Sequence, residues 1–448
     1  MREKRRHQRS LFEAKSVDHV IGRELTAMSA WLDEQPQLLE LVARDVSPKG
    51  LAQRGRAGLS LETVLRCAVL KQYRQVGYRE LEFLLQDSHS LQHFARVDPL
   101  AVPGKSALQA NIGALRAATF AALNDCLLAS ARRHRIESGQ TVRFDATVTA
   151  SHILEPTDSR LLFDGVRVLV RLLRAAREQL GDVVVFHNRQ RVAKRRMRAI
   201  QSARNADRRI RLYRELLTVV HAMLTEVAAA RGIVAHCPAL WAIAWGIETG
   251  HYQALIERVI GQTKRRVFDG ESVPARDKLV SLFEPHTDII NKGGRQIQYG
   301  HKVTLSSGTS ALVLDAVIEA GNPPDTTRFL PMLTRHINRY GRAPESVATD
   351  GGYAAKANLM QAKQLGVANV MFHKKCGIEI EAMTSKRWLY YKLKRFRAGI
   401  EAGISYLKRC FGLSRCNWKG LTHFKAYVWS AVFAHNLLVF GRLRSAPA

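Results

Sequence analysis

Cysteine is scarce and scattered in this 448-residue chain: Cys67, Cys126, Cys237, Cys376, Cys410 and Cys416, with no CxxC pair and no His-Cys cluster at zinc spacing. That excludes a disulfide framework and a zinc finger, and the thiols read as reduced and mostly buried. A run of about 18 apolar residues is lacking too, and no apolar stretch follows the basic N-terminus. The expectation is therefore neither a membrane span nor export, but a cytoplasmic protein. Acidic residues are in short supply: Asp and Glu number 39 against 69 Lys and Arg, a formal charge of +30. Such a field gathers polyanions, nucleic acid foremost, while charge alone leaves a membrane surface or ribosomal RNA open. At 46% hydrophobic residues, the chain still has material for two or three packed cores.

Residues 1–20 form a basic arm that either lies along a phosphate backbone or is merely solvated. Residues 21–135 read as an all-helical domain, because apolar positions such as Leu61, Val64, Leu65 and Ala68 recur at helical spacing between Gly, Asp and Ser breaks. Pro103-Gly104-Lys105-Ser106 opens a helix with Ser106 as the expected N-cap, and Lys105, Gln109, Asn111 and Arg116 offer polar reach. A helix-turn-helix reader of DNA and a plain dimerisation module fit this pattern equally. Lys105 and Arg116 are its candidate phosphate contacts.

Residues 136–440 read as an α/β domain. In Thr141-Val-Arg-Phe-Asp145-Ala-Thr-Val148 apolar and polar residues alternate, the period of a strand with one buried face. Aspartate is a poor strand former, so Asp145 in mid-strand calls for a bulge, a turn or a ligand. After a helix capped by Asp158 or Ser159, a long Arg- and Lys-rich helical insertion occupies about residues 160–290. A hairpin over 301–318, a helix, a strand ending in Asp350-Gly-Gly, a helix, a strand over 367–372 and a final helix from about 385 complete the mixed sheet and its cover. Residues 441–448 are a tail.

On the final helix Arg397, Glu401, Ser405 and Lys408 follow one another at intervals of four, four and three, along one face. Phe396, Ile400, Ile404, Leu407 and Phe411 form the apolar stripe that docks the helix. Arg397 and Glu401 could be no more than an intrahelical ion pair. With Asp145 and Asp350 alongside, as the order of elements allows, three carboxylates without sulfur or imidazole suit hard cations, Mg²⁺ or Mn²⁺. Two such ions serve in-line phosphoryl displacement, with Arg397 and Lys408 left to hold phosphates.

The strings Arg143-Phe-Asp145-Ala-Thr-Val, Pro156-Thr-Asp-Ser159, Phe163-Asp-Gly-Val-Arg167, Tyr299-Gly-His-Lys-Val303, Gly321-Asn-Pro, Ala348-Thr-Asp350-Gly-Gly-Tyr353 and Phe396-Arg-Ala-Gly-Ile-Glu401 through Trp418-Lys-Gly420 together resemble DDE transposases of bacterial insertion sequences, most closely the ISNCY family. Arg397, Glu401 and Lys408 match the spacing of a Tyr-x2-Arg-x3-Glu-x6-Lys signature in related transposases, while Lys394 stands where the signature has Tyr. The resemblance implies an RNase H-like core and a metal-binding catalytic triad of Asp145, Asp350 and Glu401. It further implies cleavage and strand transfer of double-stranded DNA at inverted-repeat ends, by a homodimer or larger assembly at the bacterial nucleoid. Two rivals stand beside it: a nuclease of the same fold that does not join strands, and a DNA-binding protein that has lost catalysis.

Overall fold

Among the residues that the computed structural model describes, 2–5, 18–48, 50, 58–291, 296–373 and 377–445, seven helices precede the first strand. They are α1 (Val20–Glu34), α2 (Leu38–Val46), α3 (Leu61–Tyr73), α4 (Tyr78–Asp87), α5 (His89–Ala95), α6 (Lys105–Gly113) and α7 (Ala117–Arg133). The strand β1 (Thr141–Ala150) leads to α8 (Asp158–Leu180), α9 (Gln190–Ser202), α10 (Ala206–Val234) and α11 (Leu240–Thr263). Then come β2 (Asp288–Asn291), β3 (Ile297–Ser307), β4 (Val313–Ile318), α12 (Phe329–Tyr340), β5 (Ser346–Thr349), α13 (Lys356–Gln364) and β6 (Asn369–Phe372). The chain closes with α14 (Ile380–Met383), α15 (Arg387–Cys410) and α16 (Leu421–Ser445). Most of the expected basic arm, at 6–17, lies outside the described residues, as do Cys376 and residues 446–448 of the tail. By its contacts the chain forms two units, residues 1–150 with 301–448, and residues 151–300.

The first unit is built on a mixed sheet in the order β3-β1-β5-β6, with β4 antiparallel on β3. β1 runs parallel to β5, and β5 to β6. The alternation in β1 predicts one buried face, yet Arg143 and Thr147 are buried along with Val142, Phe144 and Val148. A strand in the middle of a sheet covered on both faces has no solvent side, so its polar residues must be packed as well. Helices α1 to α7 share one apolar core with this sheet, α15 and α16. The expected cap of α6 is replaced: Gly104 precedes the helix, and the Glu82 carboxylate accepts from the Lys105 N–H at 3.0 Å.

Helix α16 has almost no polar face. Its residues from Ala426 to Leu438 are all buried, which is why no amphipathic period marks it in the sequence. Its buried Asn436 is tied at both ends: Oδ1 accepts from the Val313 N–H at 2.9 Å, and Nδ2 donates to Asn124 Oδ1 and Val313 O, both at 2.7 Å. Beside it, full burial pushes the His435 imidazole down to about 4 from 6.5. The folded state thus keeps His435 neutral where the unfolded chain takes up a proton. Stability from this group is intact above pH 6.5 and falls as the pH drops toward 4, by about 3 kcal/mol in all. Denaturant midpoints measured between pH 7 and pH 4 should show a slope that is shallower in a His435→Gln variant than in the parent.

The second unit is a helical bundle in which Leu169 and Leu173 of α8 pack with Leu216, Val220 and Val227 of α10 in a separate core. Thr157, rather than Asp158 or Ser159, caps α8, accepting from the Arg160 N–H at 3.3 Å. Asp158 instead takes hydrogen bonds from Gln262 at 2.9 Å and Arg266 at 2.8 Å, because a buried carboxylate needs partners that a helix terminus alone does not supply. Helix α10 is apolar and long enough to cross a membrane, at a mean hydropathy of 1.4 over its most apolar stretch. Its apolar side lies in this core, and its Glu215 and Glu226 pair with Arg196 and Arg189 of the same unit at 2.7 and 2.5 Å. β2, which has no counterpart among the predicted strands, is only four residues long and pairs with residues 297–300 at the start of β3.

Candidate active site

Val142 to Phe144 of β1 pair in register with Val347 to Thr349 of β5, so the next residue on each strand, Asp145 and Asp350, stand side by side. Both lie just beyond the carboxyl end of the parallel pairing between β1 and β5, the side on which α/β sheets offer their ligand-binding crevices. Asp350 follows the last residue of β5, and its Oδ1 accepts from the Gly351 N–H at 2.6 Å, capping the single turn Gly351–Tyr353. Asp145 Oδ1 accepts from the Ala146 N–H at 2.7 Å, leaving Oδ2 for other partners.

Helix α15 crosses these strand ends. Leu393, Ile400 and Leu407 are buried and Phe396 and Ile404 half-buried, the stripe expected from the sequence. Beyond its end, the segment after the helix is fastened to β1: Ala150 N–H donates to Ser414 O at 3.0 Å and Cys416 N–H to Ala150 O at 2.8 Å. Closer to the acids, Arg143 of β1 projects into the helix. Its guanidinium donates to Phe396 O at 2.5 Å and Ser307 Oγ at 2.8 Å and lies 4.5 Å from the centre of the Phe396 ring. A Cβ at Gly399 would overlap Arg143 Nη1. Glycine in mid-helix therefore serves close approach rather than a turn.

Arg397 gathers the three acids. Its Nη1 donates to Glu401 Oε1 at 2.7 Å, and its Nη2 lies 3.4 Å from Asp145 Oδ2 and 3.9 Å from Asp350 Oδ2. The arginine is 11% exposed, Asp145 19%, Asp350 44% and Glu401 63%, a gradient from a covered floor to an open rim. Three carboxylates around one guanidinium leave the cluster negative inside a chain of net charge +30. Two further acids nearby are balanced: Asp325 by Lys302 at 2.5 Å and Glu319 by Arg328 at 3.1 Å. The Tyr353 hydroxyl is buried without a hydrogen-bond partner among the described residues. Burial first, then the carboxylates of Asp325, Asp145, Glu319 and Asp350, hold its pKa well above the ordinary value.

The donor set fits a hard divalent cation in kind, being all carboxylate oxygen. Among the described residues no three His, Cys, Asp or Glu side chains converge as a ligand set, and Arg397 supplies the positive charge between the acids. Lys408 is half-buried two turns beyond Glu401 on α15. Lys105 and Arg116 are not part of this cluster. Lys105 is exposed at the start of α6, and Arg116 is bound to Asp45, through its side chain at 2.6 Å and its N–H at 2.8 Å.

Three residues of this region escape a reading of the sequence. Arg143 meets partners 164 and 253 positions away, a separation no local pattern carries. Tyr353 follows the Gly-Gly turn and could have been suspected from its place beside Asp350. His373, one step past β6, stands next to Asp350 in register, its N–H donating to Thr349 O at 3.0 Å and its Nδ1 buried without a partner among the described residues.

Residues 260–437, less than half of the chain, match the model of the family described as Transposase DDE domain. The matched segment holds Asp350, Arg397, Glu401 and Lys408, and Asp145 precedes it. Neither the curated proteins nor the solved structures contain a match to this chain.

Proposed function

We propose that this chain is a DNA transposase that binds the inverted-repeat ends of a bacterial insertion sequence and carries out metal-dependent strand cleavage and strand transfer as a homodimer or larger assembly. The observation that carries the proposal is the meeting of Asp145, Asp350 and Glu401 around Arg397 at the strand ends, in a chain matched over 260–437 by a transposase DDE domain. Asp145, Asp350 and Glu401 would hold Mg²⁺ or Mn²⁺, with two ions the number expected from the chemistry. Ions held there would act as Lewis acids on the phosphoryl oxygens and lower the pKa of an attacking water or 3′-hydroxyl. Arg397, carrying two donor nitrogens among the acids, orients their oxygens and reaches a phosphodiester by charge-assisted hydrogen bonds. Lys408, on the same helix, adds a second positive charge for the strand backbone. Lys302 and Arg328 neutralise Asp325 and Glu319, which keeps the negative charge of the site on the three acids.

The test is to incubate the full chain with duplexes carrying the element's own ends, a target duplex, and Mg²⁺ or Mn²⁺. Cleavage at the end and a joined product, both abolished by chelation, are expected. Cleavage without joined product at any target would replace the proposal by the nuclease reading. Specific binding without metal-dependent cleavage would replace it by that of a DNA-binding protein without catalysis.

A further inference from the structure

In the second unit, α8 and α9 face each other across an open cleft of about 680 Å³. Arg160 and Arg167 line it from α8, and Arg191, Lys194 and Arg198 from α9, over a floor that includes Phe163. The residues of each helix are spaced as one face requires, i, i+3 or i+4, and i+7, so two basic rows look at each other.

The basic residues of α9 differ in how they are paired. Arg189 and Arg196 are neutralised by Glu226 and Glu215 of α10 at 2.5 and 2.7 Å. Arg191, Lys194 and Arg198 have no ion pair among the described residues, and all three are exposed. The acid lining the cleft, Asp164, is bound to Arg167 at 2.7 Å, and the Arg167 guanidinium lies 5.8 Å from the centre of the Phe163 ring. Like charges at i, i+3 and i+4 destabilise a helix. Four cations without an ion pair among the described residues, Arg160, Arg191, Lys194 and Arg198, thus line the cleft against one acid that Arg167 already neutralises.

We propose that this cleft is a phosphodiester-binding site that takes the backbone of duplex DNA. Arg191 to Arg198 rise about 10 Å along the helix, the axial length of about three phosphates on one strand. Charge complementarity selects the occupant, and the Phe163 ring gives the sugar edge an apolar surface. The site lies outside the acidic cluster and uses none of its residues, so the proposal goes beyond the catalytic reading and holds for a protein that binds without cutting.

Salt-dependent binding of the full chain to a labelled duplex of arbitrary sequence tests it. Each phosphate neutralised contributes about 0.9 to the slope of log K against log salt. The variant Arg191→Gln/Lys194→Gln/Arg198→Gln should therefore lose about 3 from that slope and bind roughly tenfold or more weakly at low salt. The charge-keeping variant Arg191→Lys/Arg198→Lys should keep the parent slope, and so should Arg189→Gln/Arg196→Gln, whose charges are already paired. In the unaltered protein, saturating duplex should protect Lys194 from amine acylation, a readout that requires no variant to fold. An unchanged slope in the triple variant, equal losses in the paired-cation variant, or unprotected Lys194 overturns the proposal. A loss seen with RNA of the same length but not with DNA overturns its choice of ligand. Cleavage with an unchanged slope would sink this site alone, whereas a changed slope without cleavage would sink only the catalytic proposal.

Discussion

The variants Asp145→Asn, Asp350→Asn and Glu401→Gln are each expected to cleave element-end DNA at least about a thousandfold more slowly than the parent, a barrier increase of about 4 kcal/mol. Each substitution keeps the shape of the side chain and removes the charge that would bind a divalent cation. The three should differ in stability even where they agree in activity. Asp145 is the most covered of the acids and touches an arginine that is 11% exposed, so its neutralisation disturbs a partly buried charge pair. Glu401 is 63% exposed, and its pairing with Arg397 at i, i+4 contributes a few tenths of a kcal/mol. Arg397 retains two acids in every single variant, which protects the fold. Gel assays of cleavage beside thermal melts check both statements. Parent-like cleavage by any of the three, with an unchanged melt, removes that residue from the catalytic set.

Much of the layout of the sheet is visible in the sequence, because strands and helices of the first unit are separated by strong breakers. Asn322-Pro-Pro before α12 and the Gly-Gly after Asp350 mark ends that the structure places within a few residues. The adjacency of Asp145 and Asp350 also follows from the order of elements, since parallel strands joined through a crossover can pair directly. The chain hides what depends on contacts between distant segments. Arg397 reads as an i, i+4 partner of Glu401, and only the fold brings it within 4 Å of acids 252 and 47 positions before it. Helix α16 carries no period because it is buried on every side, and β2 is too short to show one. β1 looks amphipathic because its second face is filled by Arg143, Asp145 and Thr147, of which Arg143 and Asp145 are polar for the sake of what α15 brings to them.

Gly399→Ala separates two opposed forces on the helix that carries Glu401. Helix propensity alone favours alanine by about 0.5–1 kcal/mol in a helix interior. The same substitution at Gly403, four residues on in α15, where a Cβ would meet nothing within 4 Å, should show that gain. At Gly399 a methyl group overlaps the Arg143 guanidinium. Arg143 is 7% exposed and cannot move into solvent without abandoning Ser307 Oγ and Phe396 O. A buried charge stripped of its partners, or a helix pushed off the sheet, costs about 3 kcal/mol. Gly399→Ala should therefore destabilise the protein and, by lifting Glu401 from Asp145, reduce cleavage at least about tenfold. Combining it with Arg143→Ala vacates the space that the methyl group needs, so the double variant should be more stable than the sum of the single effects allows. Denaturation of the parent and these four variants decides the matter. If Gly399→Ala is as stable as Gly403→Ala, Arg143 does not hold α15 against β1, and another contact must set the distance between Glu401 and the strand acids.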